Sequence, residues 1–499
     1  MQSGRRQSVR APGTVAAAAV VVVLVVAAVL FLALVALCQR DSRRYGAPSH
    51  LRLALTDAQR QGRATADAIA RTNAARFPRV RMTRAEHLLC AAVRLGWDVT
   101  MWDAEGAVVP TADAIQIADE CAAVCGGTHC DADGTKEYGR TARDRIPRPD
   151  LGTTMRHVLA EGGIFKLAAP PTGDTFARAT LPPPIVCRAQ SISWTPRPDA
   201  VLAGNKHACS RWLAGHGIPV PPAAMVIMDV RAVRRHLSDA AATRYIAETL
   251  GDRADVVHLM SRAERVDTPV VIKPVEGTCG RRIVADLVGM DAVAAALARS
   301  CRRTGTARWL IEAQIPGPSH RTIVACPPSG AAPRIVYMCE RLPPVVVGDG
   351  VHTIDKLLAA DAQSRTLWHP PAPVADAEWM RRHGANPRYC VPGAGQLVRV
   401  RMPTNWAQGG AHWRVDPRVC LDPANAAMLC AAAACFPGRP FLVALDTVGD
   451  PSSAWWCAGG PMVHDVELNS GLEDIPGGCD WVPADESRVF DAILQAYSA

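Results

Sequence analysis

From Val15 to Leu37 the chain has no charged residue and almost nothing polar. At ~1.5 Å rise per residue, a helix of that length crosses a ~30 Å hydrocarbon layer. Arg5, Arg6 and Arg10 precede the run, and Arg40, Arg43 and Arg44 follow it. A cleaved signal peptide has a shorter apolar core and a small-residue cleavage site. The pattern therefore predicts an uncleaved transmembrane helix over 15–37 behind a basic tail, 1–14; the alternative is a buried Ala/Val helix of the globular part. Positive charge is nearly balanced across the run, so it does not orient the helix. No second span of this kind follows. Residues 38–83 read as a polar juxtamembrane segment, partly helical. Apolar positions at helical spacing from Arg84 to Leu95 lead into a strand-like run, Trp97 to Trp102. With further strands at Gly163–Leu167 and Pro184–Cys187, residues 84–200 are expected to form a small α/β domain.

Beyond Leu202 the pattern sharpens. Asn205-Lys206-His207 opens a helix that stops at Gly215-His216-Gly217, ahead of Pro219. Val270-Val271-Ile272-Lys273-Pro274 is a β-branched strand. It runs into the loop Val275-Glu276-Gly277-Thr278-Cys279-Gly280-Arg281-Arg282, and Ile283-Val284-Ala285 returns as the second strand of a hairpin. Glycines let backbone N–H groups approach phosphate oxygens, and a lysine on the preceding strand adds charge. A plain Gly-rich hairpin turn has the same local pattern.

Composition narrows the class. With 49% hydrophobic and 20% charged residues over 499 positions, the chain has material for roughly two to four domains, and wholesale disorder is excluded. The net charge of +8 is scattered, so no nucleic-acid partner is expected. Seventeen cysteines, an odd number at irregular spacing, do not make a disulfide framework; they suit buried apolar positions in a reducing compartment. Cys121, Cys125, His129 and Cys130 form one close group, either a zinc site of unfamiliar spacing or a cysteine-rich turn.

Several motifs occur in one order. Asn205-Lys206 and Gly217-Ile218-Pro219 come first, then Val270–Pro274 with its loop through Gly280. Trp309-Leu310-Ile311-Glu312-Ala313-Gln314-Ile315-Pro316-Gly317 precedes Ser319-His320-Arg321, and Arg341-Leu342-Pro343-Pro344 runs into Gly348-Asp349-Gly350-Val351-His352-Thr353-Ile354. Asn405 to Gly410 follow, then Val443-Ala444-Leu445-Asp446 and Val466-Glu467-Leu468-Asn469. Over about 200–475 this ordered set resembles the ATP-grasp superfamily. The Gly348-to-Ile354 run and Asn405-Trp406-Ala407-Gln408-Gly409-Gly410 resemble the branch holding the ATP-grasp part of cyanophycin synthetase and the glutathione-synthetase module of bifunctional enzymes.

The resemblance implies an α+β fold in which two subdomains clasp ATP across 201–499, behind a small α/β pre-ATP-grasp domain. It implies a carboxylate–amine ligase that uses ATP and Mg2+ and passes through an acyl phosphate, with amino-acid or peptide-like substrates. Lys206 and Lys273 match the nucleotide lysines. Glu276, Gly277, Thr278 and Gly280 match the phosphate lid. Glu312, Ala313 and Ile315 match the adenine-binding linker. Asp446, Glu467 and Asn469 match the metal ligands; on a strand Glu467 and Asn469 share a face, and oxygen ligands suit magnesium. Arg321 and Arg341 are candidates for the γ-phosphate or acyl phosphate, and Asn405 for a substrate or phosphate loop.

The chain departs from the family pattern at Ser319, where relatives often carry an acid, and at Trp406-Ala407-Gln408 before the glycines. Ser470-Gly471 stands where Pro-Gly is frequent, and Trp455-Trp456 lie in a long gap between Asp446 and Glu467. About thirty residues follow Asn469, so the Mur-ligase-like domain of cyanophycin synthetases is not expected here, nor is cyanophycin synthesis itself. The expectation is a membrane-anchored ligase with its catalytic part facing the cytosol, where ATP is. The alternative is a membrane-tethered ATP-binding protein, a sensor or scaffold, without ligase activity. Homo-oligomerisation stays open.

Overall fold

The computed structural model describes residues 47–76, 88, 91–92, 95–102, 108–109, 164–169, 184–188, 191–192, 195–236, 238–365, 371–468 and 489–498. The expected membrane helix at 15–37, the Cys121/Cys125/His129/Cys130 group and Asn469 lie outside the described residues. Among the described residues, no helix is long and apolar enough to cross a membrane.

The chain divides into two compact units. The larger comprises Leu55–Pro344, Asp361–Val374 and Arg401–Ala499. Its first sheet holds β1 (Asp98–Trp102), β2 (Val108–Val109), β3 (Ile164–Ala168), β4 (Ile185–Arg188) and β5 (Ser191–Ile192) in the order β2-β1-β3-β4-β5. Every pairing in it is antiparallel, and the strands expected at 97–102, 163–167 and 184–187 lie side by side in it.

The second sheet is β6 (Ala223–Ile227), β7 (Val270–Pro274), β8 (Val284–Leu287) and β9 (Arg308–Ala313), again antiparallel, in the order β6-β9-β7-β8. The predicted hairpin over 270–287 is the β7–β8 pair. Four helices cover one face: Val230–Arg235, Asp239–Gly251, Ala254–Arg265 and Met290–Thr304. Their apolar stripes, including Ile246, Val256 and Leu297, pack on Val270, Ile272, Trp309 and Ile311. Successive strand residues face opposite ways, so this packing turns Lys273 and Glu312 to the other face. Local capping fixes the helix starts. Asp229 accepts from the Ala232 amide and Ser238 from the Ala241 amide, each satisfying a first-turn donor.

The third sheet runs β14-β11-β10-β15-β16, with β10 (Ser319–Ala325), β11 (Arg334–Leu342), β14 (Ala411–Arg414), β15 (Leu442–Val448) and β16 (Met462–Glu467), all antiparallel. One face buries Val324, Met338, Val443 and Leu445 against the helices Lys206–Gly215 and Pro423–Ala434, through Leu213, Met428 and Leu429. The other face packs Ile323, Tyr337 and Ala444 against Leu167 and Ile185 of the first sheet and Phe490, Ile493 and Leu494 of the helix Val489–Ser498. The strands of 98–188 thus share a core with the sheet that follows them.

The smaller unit gathers the described part of Met1–Ala54 with Val345–Ala360 and Ala375–Val400. It holds β12 (Val345–Val347) paired with β13 (Leu397–Arg399), a bridge from Arg52 to Val398, and the short helix Ala377–Arg382 capped by Asp376. The Gly348-to-Ile354 motif is here, tied by Asp349, whose carboxylate accepts from the Val351 and His352 amides.

Candidate functional site

Three elements of the larger unit bring charge to one place. Asn205 caps the helix Lys206–Gly215 by accepting from the Ala208 amide, which sets Lys206 at its first position. The Lys206 amide donates to the Val275 carbonyl at 3.1 Å, joining this helix start to the end of β7. Lys206 Nζ donates to both carboxylate oxygens of Asp465, at 2.7 and 2.6 Å. On the face of the second sheet opposite those four helices, buried Lys273 donates to Glu312 Oε1 at 2.9 Å and to the His464 carbonyl at 3.0 Å. Lys273 lies opposite Leu310 and Glu312 opposite Val271, so the two charged side chains are diagonal neighbours on one face.

The third sheet contributes a transverse row. Register aligns Ser319 with Arg341, Arg341 with His412, Arg321 with Asp446, and Asp446 with Asp465. Directly paired residues share a face, so these side chains cross the sheet from edge to edge. A bulge interrupts β16, because Thr447 pairs with Val463 and Asp446 with Asp465, which leaves His464 as the extra residue. The bulge turns the His464 carbonyl to Lys273 and puts Asp465 and Glu467 in phase with Asp446. Arg321 grips Asp446 with two bonds, at 2.7 and 3.0 Å, and reaches Glu467 at 3.0 Å. Arg341 Nη1 meets the second Asp446 oxygen at 2.6 Å.

Four cations (Lys206, Lys273, Arg321, Arg341) and four carboxylates (Glu312, Asp446, Asp465, Glu467) therefore neutralise one another in a largely buried patch. Taking such charges from water is costly, and only close pairing offsets it. The protonation equilibria follow that contest. Burial raises the Asp446 carboxyl, yet Arg321 and Arg341 outweigh it and hold it well below the usual range. Burial likewise opposes Lys206 and Lys273 at Asp465, and the lysines prevail. At Glu312 and Glu467 burial wins over Lys273 and Arg321, and both carboxyls are raised. Burial would lower Lys206, but Asp465 raises it further. His412, which donates from Nε2 to the Thr404 carbonyl at 2.7 Å, is pushed down to about 3 by burial and then by Arg341.

The loop after β7 takes left-handed backbone at Cys279, Gly280 and Arg282 (φ 60°, 64° and 64°). Gly280 abuts Asn405 so closely that a Cβ would collide with its Oδ1 and lie 2.8 Å from its Cγ. The loop after β7 and Asn405 are thereby brought together. Gly277 has room for a Cβ, 3.6 Å from Pro274 Cβ, so its space demand is weaker. Glu276 is half-exposed and turns to Arg308. Of the linker residues, Glu312 joins the charged patch. The Ala313 amide donates to the Pro222 carbonyl at 2.9 Å. Ile315 is half-buried in the segment joining β9 to β10. Arg321 and Arg341, expected on phosphate, are held by carboxylates here. Asp465 and His464 were not singled out from sequence. The same two-residue spacing that linked Glu467 to Asn469 extends back to Asp465, but only the bulge and the pairing with β15 give it meaning.

Ligand oxygens of Asp446, Asp465 and Glu467 lie within 4.8 Å of one another. Three carboxylates are a hard, all-oxygen donor set of the kind magnesium takes, so the residues present fit the implied ion.

No family model matches the chain. Over 165 residues it is 27% identical to cyanophycin synthetase of Synechocystis sp., covering 32% of this chain and 18% of that protein. Over 232 residues it is 25% identical to cyanophycin synthetase of Trichormus variabilis, covering 45% of this chain and 22% of that protein. The chain thus spans about a fifth of the length of the curated relatives it matches. Among solved structures it is similar to a bifunctional glutathione synthetase from Pasteurella multocida, with 16% identity, a TM-score of 0.36, and coverage of 66% of this chain and 39% of that one. The sequence relationship to cyanophycin synthetases bears out the ATP-grasp resemblance.

Proposed function

We propose that the chain is an ATP- and Mg2+-dependent carboxylate–amine ligase that makes an amide or peptide bond, held at a membrane by residues 15–37. One observation carries the reading: Lys206 and Lys273, from different elements, converge on β16 in one patch, Lys206 at the Asp465 carboxylate and Lys273, paired with Glu312, at the His464 carbonyl, beside the acids Asp446, Asp465 and Glu467. The alignment with cyanophycin synthetases supports it, and the uncharged run from Val15 to Leu37 motivates the anchor.

In this reading Asp446, Asp465 and Glu467 hold magnesium, which supplies charge neutralisation at the phosphates when bound. Lys206 and Lys273 exchange carboxylate partners for phosphate oxygens. The lid segment from Glu276 to Gly280 closes over them, and Asn405 holds that segment at Gly280. Arg321 and Arg341 fix the acids and put guanidinium charge beside the transferred phosphoryl group. A substrate carboxylate oxygen attacks the γ-phosphorus and ADP leaves. An amine then attacks the acyl carbon, and phosphate leaves. Positioning and electrostatics account for most of the acceleration in such transfers, so no side-chain nucleophile is needed. An amino-acid or dipeptide carboxylate with an amino-acid amine is the substrate class, with the catalytic part facing the cytosol.

The test is release of ADP and phosphate by the purified chain with ATP, Mg2+ and a panel of amino acids and dipeptides, with mass spectrometry for the amide. A folded chain that binds ATP yet yields neither ADP nor amide across the panel counts against ligation. For the anchor, the full chain should sediment with membranes and a chain lacking residues 1–40 should not; equal distribution of the two would sink that part.

A further inference from the structure

Among the carboxylates of the patch, Asp465 is shared in an unusual way. Asp446 and Glu467 are held by guanidinium groups, whereas both Asp465 oxygens are taken by Lys206, a residue of the nucleotide-binding set. Yet an oxygen of Asp465 also lies within 4.8 Å of the ligand oxygens of Asp446 and Glu467. The pair is nearly sequestered, with side chains 13% and 19% exposed. One carboxylate therefore faces two claims, from the lysine and from the cation position. The bulge at His464 is what places it between them.

We propose that Asp465 is a positioning residue that restrains Lys206 until a divalent cation draws its carboxylate away, so that nucleotide is gripped only together with metal. This rests on the nucleotide-binding reading above. Without the cation, a triphosphate must compete with Asp465 for Lys206 and also approach three carboxylates. With it, Asp465 turns to the metal. Lys206 is then left in a buried setting without its partner, and a phosphate oxygen is the replacement acceptor. The coupling is reciprocal by linkage: releasing Lys206 from Asp465 must also favour metal at the acids.

Both directions can be read by binding alone, on the full chain in detergent. Calorimetry with ATP in EDTA should show Asp465→Asn binding metal-free ATP about tenfold more tightly than the parent chain, with a smaller gain on adding Mg2+. Electron paramagnetic resonance with Mn2+ alone should show Lys206→Gln binding the ion more tightly than the parent, because Asp465 has no lysine to abandon. A thermal melt checks that each variant is folded, and if Asp465→Asn is not, the Mn2+ arm decides. Metal-free ATP bound no more tightly by folded Asp465→Asn, or Mn2+ no more tightly by Lys206→Gln, overturns the proposal while leaving the ligase reading intact. If the parent chain binds no ATP even with Mg2+, the ligase reading falls and this inference falls with it.

Discussion

Asp446 illustrates how much a single buried charge controls. It is 3% exposed and answers two guanidinium groups at once. Asp446→Asn removes the anion and leaves Arg321 and Arg341 undercompensated, so it should cost about 3–5 kcal/mol of stability. Urea unfolding measures this, and a loss below about 1 kcal/mol would mean that solvent already screens the cluster. Three histidines set a second expectation. Burial pushes His320 and His464 down to about 4 and His412 to about 3 from 6.5. Between those values and 6.5 the unfolded chain binds more protons than the folded one, so stability rises with pH across that window. The contribution of these three rings should be level above about pH 6.5 and fall on acidification, each giving ~1.4 kcal/mol per pH unit within its window, while the raised carboxyls of Glu312 and Glu467 act in the opposite sense. Thermal melts from pH 7.5 to 4 test the slope; a flat profile would show these rings protonated, or solvated, in the fold.

At the scale of elements, the β7–β8 hairpin and the loop from Asn405 to Gly410 are one contact. Gly280→Ala forces an L-residue into left-handed backbone, at ~1–2 kcal/mol, and drives a Cβ into Asn405. Trypsin should then cut at Arg281 and Arg282 several-fold faster, and the KM for ATP should rise about tenfold. Unaltered cleavage and KM would mean the loop is indifferent to Asn405. These elements also show what the sequence made readable. The helix at 206–215 and the strand at 270–274 carry their own signals: an Asn cap, a glycine stop, a β-branched run closed by proline. Lys206 and Lys273 inherit their positions from those local rules. Asp465 does not, since its place depends on a bulge and on pairing with a strand some twenty residues earlier. The commitment of the Ala313 amide to Pro222 was hidden for the same reason, being a matter of register between β6 and β9. The smaller unit is drawn from three stretches that lie far apart in the sequence.

For the whole larger unit, the helix Val489–Ser498 is as much a part of the first sheet's core as the sheet is. Tyr497 packs edge-on to Phe441, with ring centroids 4.7 Å apart, and tilted on Trp97 at 6.2 Å. Tyr497→Ala should therefore cost about 3 kcal/mol and loosen the strands of 98–188 as well as the helix. Hydrogen exchange is the discriminating measurement: faster exchange confined to 489–498 would show that the early strands hold without it.

That packing has a consequence for biosynthesis. Trp97 and Tyr497 stand 400 positions apart, and Leu88, Leu167 and Ile185 share their core. While the ribosome is still translating the intervening chain, those early segments have no completed surface to settle on. Their packing is therefore completed only when the last helix has been made, so the first sheet closes late in elongation.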